Sequence, residues 1–115
     1  MKKVAVKEFQ LDRNFMNCHI AGFAHKDGYR VVDELNVGTM LDIFAEPNNP
    51  FDAYAVSIWY HDTQLGYIPS GKNEIISKML QFGHSDIFEV VINSKKTDAH
   101  PEQQFHISIK ISDGR

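Results

Sequence analysis

Alternation of apolar and polar residues, rather than helical spacing, organises most of this chain. It is cleanest near the C-terminus, where Phe105, Ile107, Ile109 and Ile111 interleave with His106, Ser108 and Lys110. Successive strand side chains point to opposite faces, so 105–111 reads as a half-buried strand. In 54–60, Val56 and Ile58 share one face while Ser57 and Trp59 share the other. Further strands are expected over 15–24, 39–45, 65–68 and 87–93. His61-Asp62-Thr63-Gln64 reads as a hairpin loop, and the turn near Lys26-Asp27-Gly28 closes the first strand. The pattern changes once. Ile75, Ile76, Met79 and Leu80 form a helical stripe within 71–82, with Ser70 as the expected N-cap and Gly83 just past the end. Five or six short strands with one or two helices need their edges covered. Closure into a small OB-like or SH3-like barrel does this most economically, so the fold class is mainly β.

The 115 residues and 13.2 kDa fit one domain. Residues 15–115 are assigned to the barrel. Residues 1–14, whose first dozen alternate basic and apolar, are read as an arm or an extra strand. No apolar run is long enough to span a bilayer and no apolar h-region follows the charged start, so neither a membrane segment nor a signal peptide is expected. One cysteine, Cys18, cannot form an internal disulfide, which points to a cytoplasmic protein. The formal charge of −3 argues against coating nucleic acid by bulk electrostatics, though it leaves room for a small local site.

Candidate chemistry is sparse. The six histidines show no paired spacing that would hold a metal, and no cofactor is implied. Cys18 lies in an apolar strand and reads as a buried thiol. No Gly-x-Ser-x-Gly elbow or phosphate-binding glycine loop is present, so nothing nominates an enzyme. One segment stands apart: Glu46-Pro47-Asn48-Asn49-Pro50-Phe51-Asp52. Two prolines and two asparagines there exclude a regular element. Asn49 and Asp52 either cap the turn through local backbone bonds, or join Phe51 in a small site where a ring stacks on a base and polar groups bind a hydroxyl.

Together with Ile20-Ala21-Gly22-Phe23, Gly38, Leu41, Ala55-Val56 and Leu65-Gly66-Tyr67-Ile68-Pro69, this segment resembles the HIRAN domain over nearly the whole chain. The resemblance implies a modified OB-like barrel that captures the 3′-hydroxyl end of single-stranded DNA, in company with a helicase or nuclease partner. By that resemblance Asp52 accepts the terminal hydroxyl, Asn49 bonds the terminal nucleotide or holds the loop, and Phe51 offers a stacking face where the family usually has tyrosine. His25 follows Ala24 where the DNA-end binders carry an aromatic after a basic residue, and Tyr67 stands near the same mouth, to stack or bond a phosphate. Lys26 and Lys72 are phosphate candidates by position. A different class of function, a protein-interaction module on the same barrel, is the alternative.

Overall fold

The computed structural model describes residues 13–112. The expected arm or strand over the first twelve residues lies outside that range. Six strands form one antiparallel sheet: β1 (Asn14–His19), β2 (Met40–Ala45), β3 (Val56–Tyr60), β4 (Thr63–Tyr67), β5 (Phe88–Lys95) and β6 (Phe105–Ile111), in the order β1-β6-β5-β2-β3-β4. One α-helix, α1 (Glu74–Gln81), follows β4, and short 3₁₀ segments occupy several connections. Irregularities in register between Asn14 and Met16, Ile58 and Trp59, and Ile92 and Ser94 bend the strands. The sheet curls until its two outer strands meet.

That meeting is a single bridge. Ala21, just past β1, exchanges two backbone hydrogen bonds with Tyr67 at the end of β4, at 2.8 and 2.9 Å. Gly66 makes the approach possible, because a Cβ at that position would collide with the Ala21 carbonyl oxygen and press on Ile20. The result is a small, partly open barrel. Its interior is apolar and β-branched: Ile20, Val56, Ile58, Leu65, Ile107 and Ile109 are all buried. Fully burying such a side chain contributes roughly 1.5–3 kcal/mol, so this set outweighs the few polar groups the barrel encloses.

The alternation at 105–111 corresponds to β6, but β3 and β6 depart from a simple inside–outside pattern. Ser57 and Ser108 are buried as well. Each is satisfied locally: Ser57 accepts from Trp59 Nε1 and donates to the Phe44 carbonyl, while Ser108 accepts from Asn93 and donates to Asn17.

Several boundaries differ from expectation. The first strand stops at His19, because Gly22 turns the chain in a left-handed conformation (φ 73°) and the Phe23–His25 segment coils as 3₁₀. The turn after β3 is only His61-Asp62, so Thr63 and Gln64 belong to β4. The helix begins at Glu74, and Asn73, not Ser70, occupies its N-cap position. Gly83 does terminate it, with φ 87° and its N–H bonded to the Leu80 carbonyl.

Cys18 is buried in the core, and burial pushes its thiol up to about 11, against a smaller lowering effect from Lys72. The thiolate is the reactive form. From an ordinary value near 9, the shift leaves about a hundredfold less thiolate at pH 8. Iodoacetamide should therefore label the native protein that much more slowly than the unfolded chain; equal rates would contradict the burial. The sign for stability follows. As pH rises past 9 the unfolded thiol ionises first, so the contribution of the neutral buried thiol is lost between about pH 9 and 11.

Candidate nucleic-acid interface

The barrel closure, the loop 46–55 and the approach to α1 converge on one cleft of about 420 Å³. Ala21 and Tyr67 form its floor at the bridge. Asn49, Phe51 and Asp52 supply one wall, and Ser70 with Asn73 supply another. Residues separated by tens of positions in sequence therefore face one another because the sheet closes at this point.

The loop is held by its own side chains. Asn49 Oδ1 accepts from the Phe51 and Asp52 N–H groups, at 2.9 and 3.2 Å. Asp52 Oδ1 accepts from the Tyr54 N–H at 2.8 Å, and Asp52 Oδ2 accepts from Asn73 Nδ2, also at 2.8 Å. Asn73 is buried, and its side chain is spent on Asp52 rather than on capping α1. Behind the loop, Glu46 Oε1 accepts from both Asn49 Nδ2 and the Tyr67 hydroxyl, each at 3.1 Å. One carboxylate oxygen thus ties the loop to β4. With its proton directed at Glu46, the Tyr67 hydroxyl is not free to donate to a phosphate. Tyr67 presents its ring instead, with Lys26 Nζ 5.5 Å from the ring centroid.

What remains available is specific. Each Asp52 oxygen carries one hydrogen bond and has a further lone pair to offer. Phe51 is 95% exposed, a ring with nothing packed over it. Lys26 makes no ion pair with a described residue, and it is delivered to the cleft by the Phe23–His25 segment. That segment is anchored twice. The Gly22 N–H donates to Glu102 at 2.7 Å, and the buried Phe23 ring packs 5.0 Å from Phe105.

Of the sequence-predicted residues, Lys26, Asn49, Phe51, Asp52 and Tyr67 line this cleft together. His25 is exposed and does not line it, and Lys72 lines a different groove, with Ile75 and Lys78.

The HIRAN domain profile matches residues 14–112. The chain belongs to the HIRAN family. Among solved structures, it is similar to a protein from Lactobacillus plantarum, with a TM-score of 0.67 and 18% identity over 84% of this chain and 94% of that one. It is also similar to the HIRAN domain of human HLTF, with a TM-score of 0.58 and 16% identity over 86% of this chain and 77% of that one. No curated protein matches. At these identities the two structures speak to the fold, which is the HIRAN fold.

In this HIRAN domain two participants escaped sequence reasoning. Asn73 was hidden because asparagine before a helix is an ordinary cap. Glu46 was quoted in the motif, but its grip on Tyr67 spans 21 positions and only the fold brings the two together. No helix among the described residues is long and apolar enough to cross a membrane.

Proposed function

We propose that the cleft binds the 3′ end of single-stranded DNA, with Asp52 accepting the terminal hydroxyl. The observation that carries this reading is the unspent chemistry of one cleft: an acceptor with open lone pairs, an exposed ring and a cation with no ion-pair partner among the described residues. Membership of a family of nucleic-acid-binding modules supports it. Phe51 stacks on a base, a contact worth roughly 1–3 kcal/mol. Lys26 meets the first phosphate, and Lys72, in the neighbouring groove, meets the next. Asn49 and Glu46 hold the loop and do not touch the nucleotide. His25, exposed beside Lys26, borders the path of the strand.

The module has no catalytic role in this reading. It presents a strand end to a helicase or nuclease that acts on it, in repair or fork processing. Two phosphate contacts give a shallow salt dependence, with log K falling against log salt with a slope of about −1.4 for a single strand.

Titration of isotope-labelled protein with a short single-stranded oligonucleotide, followed by amide chemical shifts, tests the location. The reading expects shifts concentrated at 49–55, 21–26 and 67–73. Shifts centred elsewhere, or none at low salt, would overturn it.

A further inference from the structure

The seam between β2 and β5 is paired over only part of its length. These strands share two paired positions, Met40 with Val91 and Leu41 with Val90. One more step of that register would set Asp42 against Glu89, and like charges directly opposite destabilise a pair. The strands part there. Over Asp42–Ala45, β2 is paired with β3 on one side and with no described strand on the other, and α1 packs against β2 here.

Two adjoining clefts of about 360 Å³ each follow the gap. One begins at Ile43 and Phe44 and is bounded by Leu80 and Ser85. The other takes up at Met40 and Asp42 and is bounded by Asp86 and Glu89, with His61 at its edge. Large apolar side chains stand open along this line. Phe44 and Met40 are each 55% exposed, and Phe82, next after Gln81 of the first cleft, is 76% exposed. Single exposed apolar residues are ordinary, but a row of them beside an unpaired strand edge marks an interaction surface. The rim is acidic. Asp42, Asp86 and Glu89 are exposed and form no ion pair with a described residue; Lys110 stands opposite Glu89 across β5 and β6 without pairing to it.

We propose that this seam docks an extended, basic segment of a partner protein. The extended segment lies in the two clefts, seats apolar side chains against Phe44 and Phe82, and places lysine or arginine against the acidic rim. The charge selects this occupant over a nucleic acid, because the same three carboxylates repel phosphate. None of these residues lines the cleft at Asp52, so the proposal stands independently of the DNA reading. With both sites in use, the domain holds a strand end on one surface and a protein on another.

The probe is a capped synthetic hexapeptide, Lys-Val-Lys-Phe-Lys-Val, titrated into isotope-labelled protein. Two controls accompany it: Glu-Val-Glu-Phe-Glu-Val reverses the charge, and Lys-Ser-Lys-Ser-Lys-Ser removes the apolar anchors. The expected result is saturable shifts at 40–47 and 85–89 with the first peptide only. Phe44→Ser and Phe82→Ser, both at exposed positions and checked for an otherwise unchanged spectrum, should each weaken binding about fivefold or more. Equal binding of the serine peptide would reduce the effect to bulk charge and overturn the proposal. So would shifts confined to the Asp52 cleft, or unaltered binding by both variants. Concentration-dependent shifts at the seam in peptide-free protein would assign the surface to a second copy of the chain instead.

Discussion

Asp52→Asn should lower the preference for a 3′-hydroxyl over a 3′-phosphate end by about tenfold or more while leaving the domain folded. Asparagine keeps an oxygen for the Tyr54 N–H, and Asn73 can rotate its amide to present oxygen to the new NH₂ group. The loop therefore stays closed. Two changes then act on the ligand. The hydroxyl loses a charged acceptor, an interaction worth roughly 1.5–3 kcal/mol when intact. A terminal phosphate no longer meets a carboxylate, so its affinity rises. Asp52→Ala is the less informative variant, because it also releases Tyr54 and leaves buried Asn73 without its partner. Comparing the two separates the structural duty of Asp52 from its ligand duty. A variant Asp52→Asn that keeps the full end preference would remove Asp52 from recognition.

The largest expected effect on stability belongs to Gly66→Ala. The added methyl group points at the Ala21 carbonyl oxygen and the Ile20 side chain, at a backbone φ of 155°. The oxygen cannot retreat without breaking the bridge that closes the barrel. Overpacking and backbone strain of this kind cost about 3 kcal/mol together. For a domain of this size that lowers Tm by roughly 10–20 °C in a thermal melt. Because Ala21 and Tyr67 also floor the cleft, any folded fraction should bind more weakly. A melt within two or three degrees of wild type, roughly the range of a neutral surface change, would show that the closure is not as tight as the geometry requires.

Much of this was legible in the chain. The alternation over 105–111 marks β6 because both of its neighbours are strands and its core side chains are large. The motif Glu46 to Asp52 marks the site loop because prolines and asparagines leave so few conformations open. The two readings of Asn49 and Asp52, turn cap or ligand contact, turn out to be less opposed than the sequence suggests. Asn49 is spent on its own loop, whereas Asp52 caps Tyr54 and still has lone pairs to offer. Other features were beyond local pattern. The helix starts at Glu74 rather than near Ser70, and the side chain of its N-cap residue Asn73 answers to Asp52, a partner 21 positions away. The 3₁₀ segment Gly28–Glu34 carries Val31 and Val32 without a helical or strand period. The β2–β5 seam depends on a register that brings Asp42 toward Glu89, and no single segment records it.

The proposed function turns on recognition of a free 3′-hydroxyl in this cleft. Its most direct test is the ratio of affinities of the wild-type protein for two short single-stranded oligonucleotides, labelled at the 5′ end and identical except for a 3′-hydroxyl or a 3′-phosphate, measured by fluorescence anisotropy at low salt. About tenfold or tighter binding of the hydroxyl end is expected, the equivalent of one charged hydrogen bond gained and one repulsion avoided. Equal affinities, or tighter binding of the phosphate end, would contradict it.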